Sequence, residues 1–310
     1  MLFSEKSVIF ATANDTIMKN GSLLNSQEMW RCARYSSIFS RSNFDRLLKK
    51  DDYSIFQNII RDYDAEKVGI KLHTYSDFAN YAYRYMVKHY RNEYVYKNSL
   101  INRLLKEFGT KNTIMFNEFT VGNSIADMVL FNGKSRAYEI KTELDSNRRL
   151  SSQLADYKKI FQENFIVVHE SCIEKYENSD PTTGVIALSV NRGKVKFDLI
   201  RSATENNHID PHVLIRCLRT YEYKELVKRH YGALPELDAF SAFTVCEKMI
   251  EAIPSPSLNQ LFIEIIKERK TNMQHLRGYN SYLRQICLSM HINSKEFEMI
   301  SKKLLKPIQL

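Results

Sequence analysis

Glycine and cysteine are scarce in this chain. Its 310 residues include nine glycines, and none of them builds a Gly-rich phosphate-binding loop, so a built-in nucleotide hydrolase is not expected. The five cysteines form no Cys-x-x-Cys pair and have no histidine at ligand spacing, which argues against a zinc site and a disulfide framework. This use of cysteine is typical of a reducing compartment, and we predict a cytoplasmic protein.

Long apolar runs are also lacking. No segment approaches the roughly 20 apolar residues that a transmembrane helix needs, and we predict no membrane partner. The apolar stretch from Val8 to Ala13 is short and interrupted by polar residues, unlike a secretory signal. What the sequence does have is 44% hydrophobic residues, which excludes disorder, and a net charge of +9, which favours a polyanionic partner such as nucleic acid.

The distribution of helical and strand-like patterns predicts three parts. Residues 1–88 and 216–310 are rich in amphipathic helical segments, whereas residues 89–215 mix helices with strands. In the first part, the tyrosine-rich segment 75–90 could stack on unpaired bases, but packing of the rings in the core is the favoured interpretation. In the last part, the basic cluster at 267–277 could contact nucleic acid or be an ordinary solvated face. The C-terminal helices could also hold a second copy or a protein partner.

Several element boundaries can be predicted in this last part. The apolar spacing indicates one helix from Leu214 to His230 and another from Ala239 to Ala252. Ser257 with Gln260 and Asn293 with Glu296 match the capping-box pattern at the start of two more helices. Before these helices, residues 184–200 read as a β-hairpin with its turn at 191–193.

The stretch DMVLFNGKSRAYEIK, residues 127–141, reads as another β-hairpin that carries charges inside its strands. Ile125–Phe131 and Ala137–Ile140 are apolar, and Asn132-Gly133 between them is a strong turn signal. Side chains alternate between the faces of a strand, so Glu139 and Lys141 share one face, and Asp127 across the turn can approach both. The alternative is a solvent-exposed sheet face with an ordinary Glu–Lys pair, which would stabilise by only about 0 to 1 kcal/mol.

The residues after this hairpin have helical spacing. Asp145 and Ser146 are good N-caps for a helix over 146–161, whose apolar side chains would face the core. A strand over 165–168 follows. Beside the apolar stripe of the helix runs a polar one, composed of Ser146, Arg149, Gln153 and Tyr157.

Together these residues resemble the PD-(D/E)XK nuclease superfamily, which includes restriction endonucleases and RecB-type nucleases. The resemblance rests on Asp127, on Glu139-Ile140-Lys141 twelve residues later, and on Gln153 and Tyr157 in the following helix, as in RecB-like members. Residues 90–171 also resemble a poorly characterised bacterial family within that superfamily. Ala126 departs from the Pro of the superfamily's name. The resemblance implies an α/β fold with a restriction-endonuclease-like αβββαβ core over about 88–215, a mixed central sheet and flanking helical regions.

The chemistry of phosphodiester hydrolysis explains these residue types. Two neighbouring carboxylates repel each other unless a hard cation such as Mg²⁺ lies between them, so Asp127 and Glu139 are predicted metal ligands. Mn²⁺ is expected to substitute. The resemblance adds the backbone carbonyl of Ile140 as a ligand, and it implies that Lys141 positions or activates the attacking water, with Gln153 holding that water or the lysine. Arg149, Tyr157 and Ser146 are predicted to contact the substrate.

Many superfamily members add a glutamate from the helix before the first strand. A helix over 91–107 is predicted here, and Glu93 is the candidate for that role, with Glu118 as its rival. For each of the two, an exposed surface carboxylate is an equally good interpretation.

Three functions remain open at this point. The first is a Mg²⁺-dependent phosphodiesterase, most simply a DNA endonuclease, and the resemblance suggests a phage, mobile-element, defence or repair context. The second keeps the fold without catalysis, as a binding module for nucleic acid or a protein. The third is an interaction protein that works through its helical arms while the charged strands are merely solvated.

Overall fold

The computed structural model describes residues 18–19, 22–23, 26–143, 145–238 and 240–310. The stretch from Val8 to Ala13 lies outside the described residues. Within them, no helix combines the length and the apolar character that crossing a membrane requires. The short strands Met18–Lys19 (β1) and Ser22–Leu23 (β2) pair with each other in antiparallel fashion.

The centre of the molecule is an open, mixed, six-stranded sheet in which every strand lies beside its neighbour in sequence. The pairings β3–β4 and β4–β5 are antiparallel, the pairings β5–β6 and β6–β7 are parallel, and the last pairing, β7–β8, is antiparallel. The strands are Ile114–Val121 (β3), Ser124–Phe131 (β4), Ser135–Lys141 (β5), Glu163–His169 (β6), Gly184–Asn191 (β7) and Lys194–Arg201 (β8).

Helices cover both faces of this sheet, and each face has its own hydrophobic core. Because both faces are covered, β4 and β5 are buried along almost their whole length. The core on the first face includes residues of Ser26–Ile38 (α1), Arg41–Lys50 (α2), Ser54–Tyr63 (α3), Tyr75–His89 (α4), Glu93–Phe108 (α5), Arg284–Ser289 (α12) and Ser294–Leu304 (α13). The core on the second face includes residues of Leu150–Tyr157 (α6), Ile173–Glu177 (α7), Pro211–Cys217 (α8), Thr220–Tyr231 (α9), Ala242–Glu251 (α10) and Ser255–Lys267 (α11).

Both predicted hairpins are confirmed. In the β4–β5 turn, Asn132 N donates to Lys134 O at 3.0 Å, and Gly133 has φ +68°, a conformation that glycine adopts without strain. The second hairpin, β7–β8, turns at Arg192 and Gly193, as its sequence predicts. The predicted helix over 91–107 is also present as α5.

Helix boundaries after residue 210 differ in part from those predicted. The segment expected as one helix from Leu214 to His230 is two helices, α8 and α9, because Leu218 and Arg219 have extended backbone. Ser257 is not an N-cap, since α11 already begins at Ser255, directly after Pro254. The capping box of Asn293 and Glu296 is confirmed, with Glu296 N donating to Asn293 Oδ1 at 3.0 Å and the reciprocal bond at 2.9 Å.

The C-terminal segment contributes to both cores. Helices α9 to α11 pack on the second face, whereas α12 and α13 pack with the N-terminal helices on the first. The boundary at 215/216 stays a prediction. The tyrosines of α4 pack in the first core, as the favoured interpretation has it: Tyr85 lies edge-on to Tyr35 of α1, with ring centroids 5.2 Å apart, and stacks on His89.

Candidate active site

Asp127 lies where the regular structure of β4 is interrupted. Ala126 and Met128, two positions apart, belong to opposite cores, so the alternation of faces switches at Asp127. The residue across from it in β3, Glu118, has φ +58°, which is unusual for a non-glycine residue. The backbone pairing of β4 with β5 ends at Met128–Tyr138. Beyond it, the Asp127 side chain replaces a backbone acceptor, since its Oδ2 accepts from Ile140 N at 2.9 Å. This bond fixes Asp127 against β5.

Glu139 of β5 is the most heavily hydrogen-bonded member of the site. Its Oε1 accepts from Lys141 Nζ at 2.8 Å and from Gln153 Nε2 at 2.7 Å, and its Oε2 accepts from Tyr157 OH at 2.8 Å. Gln153 also accepts from Lys141 Nζ at 3.1 Å through its own Oε1. Glu139, Lys141 and Gln153 therefore form a closed triangle of hydrogen bonds.

Helix α6 supplies the two polar side chains that reach this triangle. Gln153 and Tyr157 are four residues apart and lie on one face of the helix, as predicted. Tyr157 OH is also 2.8 Å from the carbonyl oxygen of Ile125, so it connects α6 to the start of β4. The structure thus brings five predicted residues together: Asp127, Glu139, Lys141, Gln153 and Tyr157.

The site is buried. Asp127, Glu139 and Lys141 are 8%, 1% and 7% exposed, so the interpretation of these strands as an exposed, solvated face is wrong. Burial raises the pKa of the Glu139 carboxyl above its ordinary value, and the charge of Asp127 adds to the rise, while Lys141 and Tyr157 oppose it. Burial also raises the pKa of the Tyr157 hydroxyl, and the charge of Glu139 raises it further.

Sequence reasoning missed Lys97. This lysine of α5 is almost fully buried, and its Nζ lies 3.3 Å from Asp127 Oδ1 and 2.7 Å from Glu93 Oε1. Burial disfavours its charged form, but the carboxylates of Asp127 and Glu93 outweigh that effect and raise the pKa of Lys97. The signal in the sequence was the i, i+4 spacing of Glu93 and Lys97 within a predicted helix.

The two rival glutamates are placed differently from each other. Glu93, with a side chain 45% exposed, approaches Asp127 through the ammonium of Lys97 that both contact. Glu118 is exposed and pairs with Arg41 of α2 at 3.3 Å. Both glutamates lie around the site, and a metal-ligand role for either one stays a prediction.

The predicted helix over 146–161 begins later than expected, at Leu150. Asp145 does not cap it, because its Oδ2 accepts instead from Thr142 N at 2.7 Å and Thr142 Oγ1 at 2.8 Å. Ser146 and Arg149 therefore lie before the helix, where both are exposed. They do not continue the polar stripe of Gln153 and Tyr157, and their contact with a substrate stays a prediction.

A second buried polar cluster, also missed, lies just beyond Lys141. Glu143 accepts from Arg91 Nη2 and from Tyr96 OH, each at 3.1 Å, and His169 Nδ1 lies 3.9 Å from Glu143 Oε1. Glu143 follows β5 and His169 is the last residue of β6, and the carboxyl ends of these two parallel strands meet at one edge of the sheet. These contacts attach the start of α5 to that edge, and so they position the helix that carries Lys97.

The basic cluster at 267–277 is not uniformly a solvated face. Arg269 is partly buried and makes an ion pair with Glu222 of α9, with its Nη2 2.6 Å from Glu222 Oε2. Lys267 and Lys270 line a surface cavity of about 510 Å³ next to the start of β3. Arg269 thus has a structural partner, whereas the two lysines keep the predicted option of contacting nucleic acid.

The donor set suits a hard cation in type. Asp127 and Glu139 offer carboxylate oxygens, the ligands that Mg²⁺ prefers. Asp127 Oδ1 already faces a cation, the ammonium of Lys97. Among the described residues, no group of three or more His, Cys, Asp or Glu is arranged to hold a metal ion. Two carboxylates are therefore what this site could offer, with backbone and solvent oxygens completing the coordination.

Fold and site define a mixed α/β protein with a buried carboxylate–lysine centre on its open sheet. More particularly, the chain belongs to the bacteriophage P4 protein cII family, whose profile matches residues 86–289. Protein cII of Enterobacteria phage P4 is 30% identical over 212 residues, which are 66% of this chain and 76% of that protein. A Silicibacter pomeroyi protein of unknown function is 15% identical, with 46% of this chain and 94% of that chain covered, at a TM-score of 0.31.

The family match includes every residue of the candidate site. Glu93, Lys97, Asp127, Glu139 and Tyr157 all lie within 86–289. Residues 1–85 and 290–310 lie outside the match, although their helices complete the first core. The site is therefore carried by the part of the chain that is shared with the family.

Proposed function

We propose that this protein is a divalent-metal-dependent nuclease that hydrolyses phosphodiester bonds in DNA as an endonuclease. The observation that carries the proposal is the buried constellation of Asp127, Glu139 and Lys141, held by Gln153 and Tyr157. Removing charged groups from water costs free energy unless they are paired with one another or with a ligand. Buried clusters of ionisable side chains are therefore candidates for functional sites.

The order of elements supports the same proposal. Helix α5, strands β3, β4 and β5, helix α6 and strand β6 follow one another as αβββαβ, the order of the PD-(D/E)XK superfamily that the sequence resembles. The acidic residues lie on the second and third of these strands, and the Gln and Tyr on the following helix. A restriction-endonuclease-like core is thus part of the proposal.

In this proposal Asp127 and Glu139 would hold Mg²⁺ or Mn²⁺, with the Ile140 carbonyl as a further ligand. The ion, when bound, would supply positive charge to the phosphate that is attacked. Asp127 is suited to this role because its Oδ2 is fixed to Ile140 N and its Oδ1 points to a cation. Glu139 is suited because Tyr157 holds its Oε2 in a defined orientation.

Lys141 would act on the substrate itself. Its ammonium is oriented by Glu139 Oε1 and Gln153 Oε1, and it has a third N–H to donate. We assign that donor to the attacking water or to a phosphate oxygen, whose growing negative charge it would stabilise. Gln153, bonded to both Glu139 and Lys141, keeps the two at a fixed separation.

A second function, a binding module for nucleic acid that does not cut, is favoured by one specific observation. Both oxygens of Asp127 and both oxygens of Glu139 already accept hydrogen bonds or ion pairs from protein groups. A metal ion would have to compete with these groups. The net charge of +9 suits nucleic-acid binding in either case.

One experiment separates these functions. Labelled single-stranded, duplex and branched DNA and RNA are incubated with the wild type and with Lys141→Ala, in Mg²⁺, Mn²⁺ or EDTA. We expect metal-dependent cutting by the wild type and its loss in the variant. Lys196→Ala is the matched control, because Lys196 pairs with Asp198 at 2.7 Å two positions along β8, but in an exposed place.

The outcomes are distinct. Cutting that disappears with Lys141→Ala and survives Lys196→Ala supports the nuclease. If the folded wild type cuts nothing but binds one of the nucleic acids in a salt-dependent way, the binding module replaces it. Cutting that both variants retain equally would assign the activity to another site or to a contaminant.

A further inference from the structure

Lys97 has two carboxylate partners at the same time. Its ammonium contacts Asp127 inside the site at 3.3 Å and Glu93 at the edge of the site at 2.7 Å. The Asp127 side chain is 10% exposed, whereas that of Glu93 is 45% exposed. A lysine has a flexible stem of four carbons, so its ammonium can shift towards either partner.

The charges of the site do not balance. Glu93, Asp127 and Glu139 are acidic, whereas Lys97 and Lys141 are basic, which leaves a surplus of one negative charge if all five are ionised. The ammonium of Lys141 donates to Glu139 and Gln153. Lys97 is therefore the cation that neutralises Asp127.

From these contacts we propose that Lys97 is a built-in cation that competes with a divalent metal ion for Asp127 Oδ1. When the ion binds, the ammonium moves away from Asp127 and is retained by Glu93 alone. Glu93 is then the acceptor for the displaced lysine, not a ligand of the metal. The inference rests on the proposed metal-dependent function, since it concerns the same pair of carboxylates.

Competition follows from electrostatics. An ammonium and a divalent ion at the same carboxylate repel each other, and in a buried site this repulsion is screened less than in water. Moving the ammonium to Glu93 removes it from the metal but keeps it paired, so no charge is left without a partner. In the absence of metal, Lys97 keeps Asp127 neutralised and in place.

The test measures Mn²⁺ binding without nucleic acid, by isothermal titration of the wild type, Lys97→Gln and Lys97→Arg. The glutamine variant removes the charge but keeps a donor for Asp127, and we expect it to bind Mn²⁺ at least tenfold more tightly than the wild type. Lys97→Arg retains the charge, and we expect it to bind no more tightly than the wild type. Lys97→Met is a second neutral variant if the glutamine variant does not fold.

A double-mutant cycle decides the role of Glu93. If Glu93 receives the displaced ammonium, Glu93→Gln weakens Mn²⁺ binding severalfold in the wild type, but changes it by less than twofold in the Lys97→Gln background. If Glu93 is itself a metal ligand, the substitution weakens binding equally in both backgrounds, and the inference is overturned.

Asp127→Asn distinguishes a failure of this inference from a failure of the proposed function. If Mn²⁺ binding depends on Asp127 but is unchanged or weakened by Lys97→Gln, only the competition is wrong. If no folded variant binds Mn²⁺ in an Asp127-dependent way, the metal site of the proposed function is lost and the competition with it.

Discussion

Two regions of the molecule bury a carboxylate among lysine, tyrosine and other polar side chains, and their charge balance differs. In the N-terminal helices, Asp64 is fully buried, and it receives Arg31 Nη2 at 2.5 Å, Lys67 Nζ at 3.0 Å and the hydroxyl of Tyr35. Lys67 Nζ also contacts the exposed Glu66, so two cations are paired with two carboxylates and the network is neutral. At the candidate active site, three carboxylates share two ammonium groups.

The difference separates a structural network from a candidate functional one. The Asp64 network satisfies its charge from within. It connects α1 with the end of α3, and Arg31 Nη2, which also donates to Tyr81 OH at 3.3 Å, connects it to α4. The candidate active site keeps a negative surplus, and burial raises the pKa of Glu139, with the charge of Asp127 adding to the rise. Perturbed groups of this second kind are the ones expected where a protein binds a cation or performs chemistry.

The largest effect on stability is expected at Asp64. Asp64→Asn removes the charge that pairs with Arg31 and Lys67, and breaking such a buried pair costs about 3 to 5 kcal/mol of unfolding free energy. Asp62→Asn is the control, because Asp62 is exposed and lies 3.4 Å from Arg34. Exposed pairs contribute only about 0 to 1 kcal/mol. Urea denaturation of both variants measures the difference, and similar losses would mean that the buried Asp64 network contributes no more stability than an exposed pair.

A smaller effect, which depends on pH, is expected at Glu139. Its pKa is raised above 4.5 in the folded state, so the folded protein binds more of this proton than the unfolded chain does. Wild-type stability therefore falls, relative to Glu139→Gln, as the pH rises from about 4.5 through the raised pKa. Urea midpoints of the two proteins, measured from pH 4.5 to 8 without metal, test this dependence.

Glu163 provides the control of opposite sign. Although burial acts to raise its pKa, Lys134 and Arg136 outweigh that effect and lower it. Relative to Glu163→Gln, the wild type should therefore gain stability as the pH rises from the lowered pKa to about 4.5, so this comparison is measured below pH 4.5. If the Glu139 and Glu163 comparisons had the same slope, the surplus of negative charge at the site would be refuted.

The hairpin and its charged residues could be predicted because their signals are local. Asn132-Gly133 sets the turn, and the two-residue period places Glu139 and Lys141 on one face. The spacing of Gln153 and Tyr157 gave their common helix face in the same way. These rules need no knowledge of the rest of the chain.

The rest of the site could not be predicted, because it depends on contacts between distant segments. The switch of faces at Asp127 accompanies the positive φ of Glu118 in the neighbouring strand, which no local pattern announces. Burial of Lys97 depends on how α5 lies on the sheet. The predicted start of α6 was wrong for a local reason instead. The Asp145 carboxylate accepts from Thr142 N and does not cap the helix.

The smallest effect on stability is expected from Tyr157→Phe, which removes only the hydroxyl that contacts the site. Tyr157 OH contacts Glu139 Oε2 and the Ile125 carbonyl, so its removal leaves buried acceptors with one donor fewer and should cost about 1 kcal/mol. Tyr176→Phe is the matched control, because the Tyr176 hydroxyl is buried with no hydrogen-bond partner among the described residues. Removing it should be neutral or slightly stabilising. Equal losses in urea denaturation would mean that the Tyr157 hydroxyl contributes only packing, and that Glu139 is oriented by Lys141 and Gln153 alone.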